Sequence, residues 1–398
     1  MTFDGLSVCK YDAIVAGGGP AGLSCAESMA AAGCSALVLE KNHEIGSPIR
    51  TSGGSFIDEL DRLGIPSRLY HPISRVRFLS PNNAAVYEFP QPKLCVMDVR
   101  GTYQFLAGRA VEAGATIRLA TAADSLVVEN GNVVGVVTHG ETIRSSLVVD
   151  ATGYRSVLLK QAGLDPGIRR FGVGSEYDLY APHCDESEVV LLVGSDLAPS
   201  GYAWVFPWGR HRVRVGVGII HPDSKANPDN YLSSLVKGLG RYGVNLSGAQ
   251  PIEHHSGLIP SECYAPKFAG NGILGVGDAA GHASSLLGEG IRWAIEAGRM
   301  AGEVAATAIK NGDVSRKALA EFERRWIKRH GKDLRLAHKI NERISHWDDR
   351  KWDERMEMLK LLTPDQFVEA LKTNLTGGWI LRFLTKNPKA LAEAAGIL

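Results

Sequence analysis

The stretch KYDAIVAGGGPAG, Lys10 to Gly22, decides the fold. The apolar run Tyr11 to Ala16 reads as a buried strand, Gly17, Gly19 and Gly22 as a tight turn, and the Ala-rich residues to Ala32 as the helix that follows. Such a turn offers backbone N–H groups and the positive end of a helix dipole, and glycine has no Cβ to keep a pyrophosphate away. The same spacing recurs at Gly238 (GLGRYG) and Gly270 (GNGILG). No strand precedes the second, and the third comes before its strand, so only the first is placed to bind a dinucleotide. CSALVL, Cys34 to Leu39, supplies the next strand and ends at Glu40, close to the ~20-residue spacing expected of an acid that holds an adenosine ribose.

Beyond this unit, a glycine-rich loop carries Gly46, Arg50, Gly53 and Gly54, and a helix is expected over Val99 to Ala113. The strand Leu147 to Val149 runs into DATG, Asp150 to Gly153, and the strand Gly272 to Val276 runs into GDAAG and a long helical pattern, Gly290 to Lys310. From Phe171 to Pro260 the pattern is mainly β, with a hairpin of Tyr202 to Trp208 and Val213 to Ile219. From Ser315 on it is helical, broken near Pro364, Gly377 and Pro388. The organisation expected is a nucleotide-binding domain of residues 1–70, 98–160 and 265–312, a β-sheet substrate domain of 71–97 and 161–264, and a helical region of 313–398.

Composition narrows the function. A chain of 398 residues exceeds the usual ~100–200 of one domain. With 44 Lys+Arg against 43 Asp+Glu, net +1, there is no basic surplus for nucleic acid, and no such partner is expected. The six cysteines form no C-x-x-C pair, so neither a zinc site nor a disulfide framework is legible; His254, His255 and His282 lack ligand spacing, no metal is expected, and the three are read as structural. No secretory leader is legible and no apolar run reaches the ~18 residues of a spanning helix, which points to the cytoplasm with any membrane contact peripheral. The segment Arg324 to Arg343 is strongly basic, and Leu336, Ile340, Ile344 and Trp347 mark an apolar stripe along it. It suits an anionic lipid surface or a diphosphate, and equally a solvated face packed on its own domain.

Together the motifs resemble the geranylgeranyl reductase family, flavoenzymes that reduce isolated C=C bonds of polyprenyl chains. The residues that carry the resemblance are KYDAIVAGGGPAG, EKNHEIGSPIR ending at Arg50, GYAWVFPWG from Gly201 to Gly209, and GVGDAAGHASSLLGEGIRWAIEAGRMAG from Gly275 to Gly302. The resemblance implies an α/β chain in two domains: a glutathione-reductase-type FAD-binding Rossmann domain, an inserted antiparallel β-sheet substrate domain and a C-terminal helical region. FAD contacts carried over are Gly17, Gly19, Pro20, Ala21 and Gly22 on the pyrophosphate turn, Glu40 with Lys41 at the ribose, Arg50, Thr51, Gly53 and Gly54, then Arg100, Ala123 and Gly153. Asp278 would hold the ribityl chain, with Gly288, Gly290 and Ile291 at the flavin ring. It also implies a polyprenyl lipid or diphosphate substrate.

The strand GYAWVFPWG has a reading of its own. At period two, Tyr202, Trp204, Phe206 and Trp208 share one face and Ala203, Val205 and Pro207 the other. Burying a twenty-carbon chain is worth on the order of 10 kcal/mol at ~0.8 per CH₂, so an aromatic wall suits a prenyl tunnel; filling the core of the β domain is the plainer alternative. Tyr202, Trp204, Phe206, Thr51 and Ser52 are the candidates for the substrate cavity. Archaeal members of the family carry a cysteine after the loop arginine, whereas Arg50 is followed by Thr51 and Ser52, so thiol chemistry does not transfer and the proton source stays open. Only one dinucleotide unit is in context, which leaves the electron donor open between NAD(P)H and ferredoxin. The alternatives are a flavin monooxygenase or halogenase of the same fold, the halogenase lacking its W-x-W-x-I-P segment here, and an electron-transfer flavoprotein serving a quinone or ferredoxin.

Overall fold

The computed structural model describes residues 10–374. The elements that position the site are, in chain order, β1 (Lys10–Ala16), α1 (Pro20–Ala31), β2 (Ala36–Leu39), α2 (Val99–Glu112), β3 (Glu141–Asp150), β4 (Phe171–Tyr180), β5 (Gly201–Gly209), β6 (Arg212–His221), β7 (Gln250–Pro260), β8 (Ile273–Gly275), α3 (Ile291–Lys310) and α4 (Arg316–Ile344).

The first sheet has eight strands in the order Ala269–Gly270, β8, β3, β1, β2, Thr116–Arg118, with Asn132–Thr138 and Ser125–Glu129 added beside β3. β1 is parallel to both β2 and β3, and β3 to β8. All of Ala13 to Ala16, Leu37 to Leu39 and Leu147 to Val149 are buried, because helices cover both faces of a parallel sheet. The turns after β1, β3 and β8 therefore emerge side by side at the carboxyl ends of the central strands, where open α/β sheets bind their ligands. The GNGILG segment becomes the short pair Ala269–Gly270 and β8, and GLGRYG ends a helix, so neither forms a phosphate turn.

Helices α1 and α3 pack with their backbones nearly touching. A Cβ on Gly298 would stand 2.2 Å from the Ala21 carbonyl oxygen, and one on Gly302 2.6 Å from that of Cys25. A Cβ on Gly277 would lie 2.7 Å from the Cβ of Ala21. The late GDAAG turn is thus set directly on the first turn of α1, remote in sequence and adjacent in space.

The second sheet has seven strands, ordered β7, β4, β6, β5, Glu188–Leu192, Arg75–Leu79, Ala84–Glu88. Its antiparallel registers align residues into rows, since cross-strand partners share a face. One row is Tyr202, Gly218, Gly174 and Gly257; the next is Trp204, Gly216, Glu176 and His255. On the opposite face Ala203, Val205, Val213, Val215, Val217 and Ile219 build an apolar core with Leu232 and Leu235. A three-stranded sheet of Gly54–Phe56, Leu94–Met97 and Tyr70–Ile73 links the two large sheets.

The helical region departs from expectation in two respects. It breaks after α4 at Ser345 to Asp348, before the helix Asp349–Leu359, as well as before Pro364; Gly377 and Pro388 lie outside the described residues. The buried face of α4 is Leu319, Phe322, Trp326, Leu334, Ala337 and Asn341. The expected stripe of Leu336, Ile340, Ile344 and Trp347 flanks it and is half-buried, because α4 packs on α3 and β8 through the neighbouring residues.

Candidate functional site

Between the two large sheets lies a cavity of about 660 Å³. Gly17, Gly19, Pro20, Ala21, Glu40, Lys41, Arg50, Thr51, Ser52, Ala123, Gly153, Asp278, Gly288, Gly290 and Ile291 line it, and so do Tyr202 and Trp204. The glycine turn is shaped by the chain around it. Gly17 holds φ +118°, and a Cβ there would meet the Ala151 carbonyl oxygen at 2.2 Å, whereas a Cβ on Gly19 would meet nothing within 4 Å. Gly19 caps α1 with no side-chain acceptor and Pro20 follows, so the first N–H groups of the helix are free for an anion.

Glu40 is buried and accepts the Gly18 N–H at 2.8 Å and the Asn42 N–H at 2.8 Å. Asp278 opens on the cavity with no hydrogen-bond donor from the described residues, and burial pushes its carboxyl up to about 6. Burial and that carboxylate raise the phenol of Tyr103 on α2, another lining residue. Helix α3 also presents an uncapped N-terminus, at Gly290, whose Cβ position lies 3.6 Å from Asp278 Oδ1. The residues fit FAD: two free helix N-termini and a bare glycine turn for its phosphates and ring, and an unpartnered carboxylate for a hydroxyl of the linking chain.

Four of the FAD contacts carried over by resemblance, and Phe206 among the substrate-cavity candidates, do not line the cavity. Gly22 lies beneath the turn, where a Cβ would stand 2.1 Å from the Gly17 carbonyl oxygen. Gly53 is packed on Val99 and Met97, and Gly54 on the ring of Phe206. Phe206 covers that glycine, which takes it out of the cavity wall. Arg100 sits behind Gly46 and reaches Glu44 at 3.8 Å and Glu253 at 3.7 Å. Trp208 likewise turns away, donating to Asp178 at 3.0 Å beneath the guanidinium of Arg214.

Tyr202 and Trp204 are fixed by their polar ends. The Tyr202 hydroxyl donates to the Leu287 carbonyl at 2.6 Å, and Trp204 Nε1 donates to Glu176 Oε2 at 3.0 Å. The indole lies across Gly216 and Gly218, and Gly218, Gly174 and Gly257 leave a floor without side chains. Glu176 and His255, both buried, were not singled out for chemistry by the sequence reading. The signals for them are alternations: FGVGSEYD places Gly172, Gly174, Glu176 and Asp178 on one face, and IEHH places Glu253 and His255 on one face of the later strand.

His282 is enclosed by Phe268, Phe322 and Trp326, and burial together with His330 lowers its imidazole to about 3, so it stays neutral. Among the described residues there is no cluster of His, Cys, Asp or Glu able to hold a metal ion. Cys25, Cys34, Cys95, Cys184 and Cys263 are free thiols; Cys9 lies outside the described residues.

Comparison with known proteins agrees with this geometry. The family model described as FAD binding domain matches residues 10–329. A digeranylgeranylglycerophospholipid reductase of Methanothermobacter thermautotrophicus is 33% identical over 362 residues, 88% of this chain and 92% of the relative. One from Methanopyrus kandleri is 32% identical, covering 91% of this chain and 95% of the relative. The crystal structure of a geranylgeranyl bacteriochlorophyll reductase-like protein from Thermoplasma acidophilum superposes with a TM-score of 0.85 at 24% identity, covering 98% of this chain and 99% of that one. A flavin-dependent brominase shares the fold more distantly, TM-score 0.68 at 19% identity, over 92% of this chain and 98% of its own. A parallel sheet with a bare glycine turn, a late aspartate beside it and a β-sheet cavity wall define an FAD-binding flavoprotein. Within that class, the chain belongs to the geranylgeranyl reductase family.

Proposed function

We propose that the protein is an FAD-dependent reductase of isolated C=C bonds in a geranylgeranyl chain carried by a glycerophospholipid or a related anionic lipid. The observation that carries this reading is the shared cavity: the flavin-holding loops and the wall of Tyr202, Trp204 and the glycine floor line one continuous space. Bound FAD supplies hydride chemistry. The chain's own residues orient it through Asp278, Glu40 and the α1 N-terminus, and exclude water with Tyr202, Trp204, Ile259 and Leu287. The proposed division of labour assigns residues 1–70, 98–160 and 265–312 to the cofactor and 71–97 with 161–264 to the substrate.

The end of α4 supports an anionic lipid. Asn341, Ile344 and Ser345 line the cavity, and the preceding Arg324 to Arg343 carries eight Lys or Arg against Asp333 and Glu342. A phosphate headgroup beside that segment with its chain in the cavity would bring the protein to a membrane surface, and among the described residues no helix is long and apolar enough to cross one. The test is anaerobic. FAD-loaded protein reduced with dithionite should regain its oxidised flavin absorbance on mixing with a digeranylgeranylglyceryl phospholipid; a flavin that stays reduced through a panel of prenyl lipids and diphosphates would discard the reading.

A further inference from the structure

The family resemblance leaves the proton for alkene reduction without a source, because Thr51 stands where relatives carry a thiol. One side-chain row crosses the substrate sheet beside that position. Glu176 on β4 faces His255 on β7 across the strand pair. His255 Nδ1 lies 2.9 Å from Glu176 Oε1 and its Nε2 3.0 Å from Glu253 Oε2. The second Glu176 oxygen accepts from Trp204, and Ser52, whose carbonyl accepts from Arg214 at 2.8 Å, stands beside this carboxylate on the cavity wall. The row has a wet end and a dry end: the Glu253 side chain is 34% exposed, whereas those of His255 and Glu176 are 4% exposed. Glu176, His255 and Ser52 line the cavity. β7 also touches the loop itself, since a Cβ on Gly257 would stand 2.2 Å from the Arg50 carbonyl oxygen.

We propose that Glu253, His255, Glu176 and Ser52 form a proton relay from solvent to the alkene carbon, replacing the thiol that this chain lacks. The inference rests on the reductase reading above. In the reduction the alkene π bond breaks, one carbon receives a hydride with both electrons from the reduced flavin, and the other receives a proton from the Ser52 hydroxyl. Ser52 is reprotonated from His255 through Glu176, and His255 from water through Glu253. The flavin is oxidised, the alkene reduced, and the relay ends with the protons it began with.

The electrostatics suit such a conduit. Burial alone would pull the His255 imidazole down, but its hydrogen bonds to Glu176 and Glu253 hold it above the ordinary value. Burial alone would raise Glu176, and the bond from His255, the charge of Arg214 and the Ser52 hydroxyl hold it low instead. The other charges facing the row are Asp178 on β4, Arg212 on β6, 3.7 Å from Glu253, and Arg100 on α2, also 3.7 Å from Glu253. Two carboxylates thus clasp an imidazole whose protonated form they both favour, one of them open to solvent.

The experiment pairs a titration with a single turnover. In FAD-free protein, the carbon-bound imidazole resonances of His255 should titrate above the ordinary 6.5 and shift to lower pH in Glu253→Gln. In dithionite-reduced, FAD-loaded protein mixed with the prenyl lipid, flavin reoxidation should slow as pH rises through the His255 value. That limb should move to lower pH in Glu253→Gln. His255→Gln should react about 100-fold slower, the low end for a lost general acid, with the limb gone and FAD still bound. An imidazole that titrates at or below 6.5 in the wild type, or a pH limb untouched in both variants, overturns the relay. If His255→Gln does not fold, the Glu253→Gln arm decides alone. A wild type that binds FAD but no prenyl lipid reoxidises defeats the parent reading instead, and the imidazole titration still judges the relay.

Discussion

Two glycines one row apart in the substrate sheet should respond very differently to the same added methyl group. A Cβ on Gly216 would lie 2.3 Å from Trp204 Cζ2 and 2.7 Å from Glu176 Cβ, while the nearest atom to one on Gly174 is Trp204 Cη2 at 3.8 Å. The indole is 7% exposed and tethered to Glu176, so it has nowhere to retreat without losing that bond. Gly216→Ala therefore costs about 1–3 kcal/mol in overpacking, and a further ~1.5–3 where the bond to the charged carboxylate breaks. Gly174→Ala sits in ordinary contact and gains ~0.4–1 kcal/mol from a stiffer unfolded chain. Urea unfolding followed by tryptophan fluorescence, compared at constant slope, reads the difference. In a Trp204→Leu background the Gly216→Ala cost should shrink by ~1 kcal/mol or more, as a double-mutant cycle measures for residues in contact. Equal midpoints for the two single variants, or a Gly216→Ala cost unchanged by removing the indole, would refute the placement of Trp204 over the glycine floor.

Asp278→Asn should weaken FAD binding about 10- to 100-fold, the ~1.5–3 kcal/mol of a charged hydrogen bond, while stabilising the FAD-free protein at neutral pH; flavin titration and unfolding report the two. Because the Asp278 carboxyl is raised to about 6 by burial, the native chain holds a proton that the unfolded chain gives up near ~4, so FAD-free stability falls from this group as pH rises between those values. His255 acts at the other end: its raised value means its contribution is complete below ~6.5 and is lost as pH climbs through the folded value, whereas Glu176 and Glu253, held low, contribute above ~4.3 and lose that contribution on acidification. Gly298→Leu should cost more than ~3 kcal/mol and release FAD, because its side chain must part α3 from the Ala21 carbonyl, 2.2 Å from the Cβ position; equilibrium dialysis of flavin checks it.

Much of the cofactor half was legible because its signals are local. GGGPAG, Glu40 and GDAAG each sit at a strand end, and the parallel sheet brings strand ends together whatever lies between them. The face of β5 was legible for the same reason, since alternation fixes which side Tyr202 and Trp204 take. How far each ring travels along that face was not. Phe206 leaves the cavity because Gly54, from another sheet, offers it a bare backbone to cover. The row of Trp204, Gly216, Glu176 and His255 depends on the register of four strands spread over the chain, and register is set by tertiary packing that no single segment displays. His255 looked structural for that reason: Glu253 precedes it by two residues on β7, but Glu176 joins it only when β4 and β7 are paired. The stripe on α4 was legible by its period, but not that it would flank the buried face, since a helix with apolar residues on adjacent faces does not say which one its neighbours cover.

On the proposed function, one cavity brings a flavin and a prenyl chain into reacting contact. Mass spectrometry of the lipid recovered after one anaerobic turnover of reduced, FAD-loaded protein tests it most directly. The digeranylgeranylglyceryl phospholipid should be heavier by one pair of hydrogens for each equivalent of flavin reoxidised; lipid of unchanged mass beside fully reoxidised flavin would rule this contact out.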